Sequence, residues 1–370
     1  MMAKSSRLRA GDWVEVRSKN EILHTLDSDG CLDGMPFMPE MLAFCGKRLQ
    51  IQKRAHKTCD TVFPVRGRRL LQTVHLDTRC DGSAHGGCQA SCLIFWKEAW
   101  LKPLGNKSKD RTVQKSTPLE GSSVQPDGSR CSERDVWERA CSAPKDSDEL
   151  TYVCQATQIP FATTNLEWWD IRQYIEDYTS GNVGLGRILC GAVYFLYLSL
   201  SRAGLGLGRP MRWFYDTFYP LWGGAPFPRR RGAIPIGERT PNRSLDLQPG
   251  ELVRIKPYRE ILSTLDAHNR NRGLYFDAEE VPYCGGTYQV QKRVTKIINE
   301  RTGKMREMKT PSVILNSVIC QSRYSECRLF CPRGIYSYWR EIWLERIEPN
   351  PVNVQPIDEE QVVTSSRCNP

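Results

Sequence analysis

The stretch GDWVEVRSKNEILHTLDSDGCLDGMPFMPEMLAFCGKRLQIQKR, residues 11–54, returns as GELVRIKPYREILSTLDAHNRNRGLYFDAEEVPYCGGTYQVQKR, residues 250–293. The two align without a gap at an offset of 239. Gly11, Glu21, Ile22, Leu23, Thr25, Leu26 and Asp27 meet Gly250, Glu260, Ile261, Leu262, Thr264, Leu265 and Asp266. Gly34, Phe37, Glu40, Cys45 and Gly46 meet Gly273, Phe276, Glu279, Cys284 and Gly285. Self-similarity of this kind marks a duplicated unit. Beyond it, a one-residue shift pairs Cys80 with Cys320, and the offset returns at Cys88/Cys327 and Cys92/Cys331. Each copy closes on an aromatic strand, FWKEAWLKPL from Phe95 and YWREIWLERI from Tyr338.

Inside a copy the period is two. GDWVEVRS and GELVRIKP alternate apolar and polar residues after a glycine, and KRLQIQKRA and TYQVQKRVT alternate again. LLQTVHL and PSVILNSV follow, and EILxTLD reads as a short helix or turn. Four or five short strands with glycine turns predict a small barrel or sandwich. The opening Gly-Asp-x-Val-x-Val resembles the first strand of SH3-like barrels of the KOW kind. The longer motifs LDGMPFMPEM and AHGGCQASC resemble an uncharacterised bacterial family of internally duplicated four-cysteine proteins. The fold expected is mainly β with a helical insert: two tandem SH3-like small β-barrel modules, each with a four-cysteine metal site.

The organisation expected is a first β module at 8–104, a flexible linker at 105–150 rich in Lys, Ser, Asp, Gly and Pro, and a helical insert at 151–230. A second β module at 245–349 and a disordered tail at 350–370 complete the chain. In the insert, NLEWWDIRQYIEDY predicts a helix with Asn165 as N-cap and Trp168, Ile171, Tyr174, Ile175 and Tyr178 at helical spacing. RILCGAVYFLYLSLSR predicts another, with 14 uncharged residues between Arg187 and Arg202. Those residues span about 21 Å at ~1.5 Å each, short of a ~30 Å hydrocarbon core. The segment is expected as a core helix. A helix lying on a membrane surface is the alternative, because Arg209, Arg212 and Arg229–Arg231 lie near Trp213, Phe214 and Trp222. In that alternative, 183–222 is the stretch that would make peripheral membrane contact.

The N-terminus has basic residues but no apolar run of the kind a secretory leader carries, so a cytoplasmic protein is expected. In a reducing compartment, fifteen cysteines read as metal ligands and spare thiols rather than disulfides. The first set is Cys45, Cys80, Cys88 and Cys92, spaced C-x34-C-x7-C-x3-C; the second is Cys284, Cys320, Cys327 and Cys331, spaced C-x35-C-x6-C-x3-C. Four thiolates suit a closed tetrahedral zinc site and equally an iron–sulfur cluster. Two metal centres are expected, zinc ahead of iron–sulfur. Buried, inert thiols are the plainer alternative.

The copies differ in chemistry. Four of five histidines fall in the first copy, and it alone carries His56, Cys59 and Asp60 in RAHKTCDTV and His85 beside the cysteines. These four are the candidate catalytic residues: a second metal site, a thiol activated by histidine, or hydrogen-bonded loop residues with no chemistry. Basic residues recur at Lys47, Arg48, Lys53, Arg54 and Lys57 and at Lys292, Arg293 and Lys296, with Arg66, Arg68 and Arg69 added in the first copy. Interleaved with Trp13, Trp96, Trp100 and Tyr258, they suggest a groove for nucleic acid or another polyanion, against the plain reading of a solvated sheet face. A formal charge of +10 agrees with an acidic partner.

No phosphate-cradling loop, nucleophile elbow or H-E-x-x-H motif is present. The function expected is a metal-binding tandem β-module protein that binds or scaffolds a macromolecular partner, with a polyanion or another protein the candidate. The alternative is an iron–sulfur or metal-dependent enzyme or electron-transfer protein in a bacterial biosynthetic pathway, with the His/Cys loops of the first module as its active site.

Overall fold

The computed structural model describes residues 7–62, 66–104, 131–142, 149–203, 208–218, 225–325 and 327–347. Most of the expected linker, Trp222 and the expected tail at 350–370 lie outside the described residues. The chain divides into two compact units. The first comprises Met1–Val183, Lys296–Glu307 and Phe330–Ile335; the second comprises Gly184–Thr295, Met308–Leu329 and Tyr336–Pro370.

The first unit is built on a curled five-stranded antiparallel half-barrel. Its strands are β1 (Trp13–Val16), β2 (Arg48–Arg54), β3 (Thr73–Arg79), β4 (Leu93–Lys97) and β5 (Leu101–Pro103). Their order is β4-β3-β2-β1-β5. Alternation on β1 sends Val14 and Val16 into the core and leaves Trp13 exposed. Between β1 and β2, Ser18 opens helix α1 (Lys19–Leu23) with a reciprocal Ser18/Glu21 capping box. The core gathers Ile22, Phe37, Met41, Trp96 and Trp100, with Phe37 meeting both indoles edge-on at 6.5 and 5.3 Å. The buried Trp100 ring donates its N–H to Thr25 Oγ1 at 3.0 Å, so the indole leaves no unsatisfied donor.

The second unit holds a curled four-stranded sheet of β6 (Leu252–Ile255), β7 (Thr287–Ile298), β8 (Met305–Leu315) and β9 (Leu344–Arg346), in the order β8-β7-β6-β9. Phe276 meets Trp339 and Trp343 edge-on at 6.0 and 5.2 Å, and Trp343 donates to Thr264 Oγ1 at 2.9 Å. The far end of the β7–β8 hairpin, Lys296–Glu307, belongs to the first unit. There Gly303 accepts from the Tyr152 amide at 2.8 Å and Lys304 pairs with Glu149 at 2.5 Å.

Three expectations change. Within the segment expected to be a linker, helix α2 (Glu133–Ala140) starts on a Ser132/Asp135 capping box and buries Val136 and Ala140. Composition alone read these polar residues as flexible, but they are the cap of a helix. Asn165 does not cap a helix. Thr164–Leu166 pairs with Gly67–Arg69 as a strand, and the Asn165 carboxamide accepts from Arg68 at 2.7 Å. With α3 (Gln155–Ala162) before this strand, helix α4 (Arg172–Thr179) starts later than expected.

Helix α5 (Leu185–Arg202) is not a core helix on all sides: Leu185, Leu189, Val193, Leu196 and Leu200 are exposed, while Leu198 packs on Tyr215 and Phe227. Helix α6 (Gly208–Phe218) likewise exposes Trp213 and Phe214 beside Arg209 and Arg212. Among the described residues, no helix is long and apolar enough to cross a membrane.

Candidate metal centre

The connection from β3 to β4 carries Cys80, His85, Cys88 and Cys92, and its backbone closes tightly. Cys80 donates its amide to the Cys92 carbonyl at 2.9 Å, and Gly82 accepts from both His85 and Gly87. Gly82 has φ +78°, and a Cβ there would lie 2.1 Å from the Cys88 carbonyl oxygen, so the turn requires glycine. This turn drives the His85 ring inward against Glu40, which stands on the 3₁₀ segment Pro39–Phe44.

Glu40 Oε1 is crowded. It lies 2.6 Å from His85 Nδ1, accepts from the Ala84 amide at 3.1 Å and takes the Cys80 thiol at 3.6 Å. Its second oxygen, Oε2, is buried and has no hydrogen-bond partner. Burial pushes the Glu40 carboxyl up, but the His85 contact outweighs it and holds the group below the usual carboxylate range. One donor atom each from Glu40, Cys80 and His85 falls within 4.8 Å of the others, a grouping able to hold a metal ion. His85 Nε2 lies 3.1 Å from the Val153 carbonyl. With an N–H at Nε2 serving that carbonyl, a metal would enter at Nδ1 in place of the hydrogen Nδ1 gives Glu40, in the manner of outer-shell partners that set a ligand tautomer.

A cavity of about 30 Å³ adjoins the triad, lined among others by Cys80, His85, Cys88, Cys92, Cys154 and Arg333. That volume suits a single ion or a water or two. Burial pushes the Cys92 thiol up to about 12 and Cys154 to about 11. No family model matches this chain, and no curated protein does. The reading of the site therefore rests on its own geometry.

Of the first expected quartet, the cavity brings together Cys80, Cys88 and Cys92. Cys45 does not line it; this half-buried thiol packs against the first core. In the second unit, Cys284 donates to the Glu280 carbonyl at 3.8 Å and Cys320 lies 3.5 Å from Ser322 Oγ. Cys327 is also in that unit, whereas Cys331 belongs to the first. Among the described residues, the Glu40, Cys80 and His85 atoms are the group of three or more that gathers this closely. The described cysteines are thiols rather than disulfides.

The other candidates are engaged elsewhere. His56 Nε2 lies 3.2 Å from both the Gln173 carbonyl and Asp177 Oδ1, and Cys59 sits under the Arg333 guanidinium, with its carbonyl 3.3 Å and its sulfur 3.9 Å away. Asp60 is buried, accepts from the Val62 amide at 2.9 Å and lies 3.9 Å from Arg68. These contacts separate His56 and Cys59 from the partners of His85. The expected groove also loses its parts: Trp96, Trp100 and Tyr258 are buried, Arg54 pairs with Glu98 and Glu176, and Lys57 is buried against Asp177. Trp13, Lys47 and Arg48 remain at the surface.

Glu40 escaped the sequence reading as a ligand, although its recurrence as Glu279 was the available signal. At Glu279 the loop amides of Arg323 and Tyr324 take the carboxylate, at 2.9 and 2.5 Å, and Tyr324 stands where alignment puts His85. With no imidazole beside it, burial raises Glu279 to about 7. Between about pH 4.5 and 7 the folded unit holds a proton that the unfolded chain has lost, so stability of the second unit falls as pH rises, by about 3 kcal/mol over the window. Denaturant melts at pH 5 and pH 8 should show this, and Glu279→Gln should reduce the slope, the adjacent buried Glu280, also raised by burial, keeping the remainder. An unchanged slope in that variant contradicts the assignment.

Proposed function

We propose that the first unit is a metal-stabilised β module, zinc being the first choice, with Glu40, Cys80 and His85 as ligands, and that the chain binds or scaffolds a macromolecular partner. The observation that carries the metal is the Glu40 carboxylate, whose Oε1 meets a thiol and an imidazole while its Oε2 is a buried acceptor without a donor. Leaving such a group unsatisfied costs about 1–3 kcal/mol, and more for a charged one. A cation at that point removes the cost. Mixed N, O and S donors suit zinc, a borderline-soft ion. When bound, the ion supplies folding free energy and fixes the loop of His85 against the segment of Glu40.

We read the two sheets as copies of one SH3-like module. The matched Trp–Thr bonds and Phe–Trp contacts support this, as does the gap-free alignment. In that reading the copy with His85 carries the metal, and the copy with Tyr324 keeps the buried glutamate for structure alone. The net charge of +10 and the exposed arginines and apolar side chains of α5 and α6 favour an acidic partner.

Elemental analysis of anaerobically purified protein tests the metal. The expected result is colourless protein with about one zinc per chain, strongly reduced in His85→Ala and Cys80→Ser. Brown protein containing iron would favour the electron-transfer or enzymatic alternative, and protein free of both metals would sink the proposal.

A further inference from the structure

The repeat assigns four cysteines to the first copy, yet the cavity beside Glu40, Cys80 and His85 leaves out one of them, Cys45, and takes in Cys154 from the segment between the copies. Three observations bring Cys154 to the edge of this site. It lines the same cavity as Cys80 and His85. Its neighbour Val153 is tied through its carbonyl to His85 Nε2 at 3.1 Å, so the backbone before Cys154 is fixed to the outer edge of the His85 ring. It also occupies the N-cap of α3, eight residues long, where the helix begins after an extended residue. The segment is anchored beyond the helix as well: Gln155 bridges the backbone of Phe95 and Pro36, donating to the Phe95 and Pro36 carbonyls and accepting from the Phe95 amide.

We propose that Cys154 is the fourth ligand of the metal in the first unit, and that Cys45 is not a ligand. This rests on the metal reading above. With the Cys154 sulfur drawn in from the cavity wall, where it stands outside the close grouping of Glu40, Cys80 and His85, the ligands would number four, as a closed structural zinc site requires. Metal binding exchanges the Cys80 and Cys154 thiol protons for bonds to the cation and releases those protons to solvent. The Cys88 sulfur already accepts the Ile298 amide at 3.4 Å, and with Cys92 it forms the wall of the cavity. The site would then clamp the first β module to the region that follows it, a connection the repeat alone does not contain.

The test uses the full chain, loaded with zinc and with cobalt as a spectroscopic substitute. Cys154→Ser should lower zinc affinity by well over about 100-fold, beyond the roughly 10–100-fold cost of losing an outer-shell partner, while Cys45→Ser should leave it unchanged. Sulfur-to-cobalt charge-transfer absorption should correspond to two thiolates in wild type and one in Cys154→His, which keeps a ligand and restores binding. The wild-type cobalt spectrum and Cys154→His together cover the case in which Cys154→Ser fails to fold. Wild type that binds neither zinc nor cobalt removes the metal reading itself. Wild type that binds zinc, with Cys154→Ser equal to it or Cys45→Ser the variant that loses it, overturns the assignment of Cys154 alone. A cobalt spectrum with three or more thiolates that is unchanged in Cys154→His also overturns it.

Discussion

Stripping the metal should unfold the first unit. Structural zinc contributes on the order of 10 kcal/mol to small modules, and a whole domain is stable by only about 5–15 kcal/mol. The apo unit keeps its aromatic core of Phe37, Trp96 and Trp100, but it must hold Glu40 Oε2 buried with no donor. Its loop from Cys80 to Cys92 depends on glycines at positive φ and contributes few apolar side chains to the core. Hydrogen exchange reads the result element by element. Peptides covering Leu93–Lys97 and Leu101–Pro103 should lose protection in excess chelator, while peptides covering Trp339 to Arg346 in the second unit change far less. Unchanged protection in the first unit, with elemental analysis showing the metal gone, would falsify a stabilising role.

Asp177→Ala should be the most damaging single substitution outside the proposed metal site. Asp177, on α4, is fully buried. Its Oδ2 receives the Lys57 ammonium at 2.6 Å and Oδ1 lies 3.2 Å from His56 Nε2. Lys57 is itself buried, and also donates to Gln173 Oε1 at 3.3 Å and lies over the Tyr174 ring at 5.0 Å. Burial pulls the Lys57 pKa down, and the Asp177 carboxylate is the principal group opposing that. Removing the carboxylate leaves the ammonium without its counter-charge, a loss of about 3–5 kcal/mol in comparable buried pairs. For a unit of this size that lowers the melting temperature by roughly 10 °C. Replacing both partners, as in Lys57→Met with Asp177→Leu, should recover most of the loss, because no unpaired charge remains. A loss below about 1 kcal/mol in Asp177→Ala would mean that water reaches the pair.

The strands were legible because their alternation is local: Val14 and Val16 point inward wherever β1 pairs. The three loop cysteines were legible because they sit within thirteen residues of one another and recur. Glu40 recurs too, but a glutamate at a repeated position reads as surface or cap until the fold buries it. Cys154 lies outside the repeat, and nothing in its neighbourhood says that α3 will carry it to the loop of His85. Trp96 and Trp100 illustrate the opposite error. Aromatic residues interleaved with basic ones resemble a binding face, but on a closing strand they are what the core is made of. Helix α2 was hidden because Ser, Glu, Arg and Asp are residues of both linkers and capped helix starts. Val136 and Ala140, one turn apart, are the apolar face that separates the two cases.

The division of the chain into units has a practical consequence for anyone who cuts it. The first unit is made of three separate stretches, the last two lying more than a hundred residues beyond Val183. A fragment that stops at residue 104 lacks Cys154 and Asp177, and one that stops at 183 still lacks Ile298, Glu300 and Arg333. Neither half can be expressed as an intact piece by one truncation.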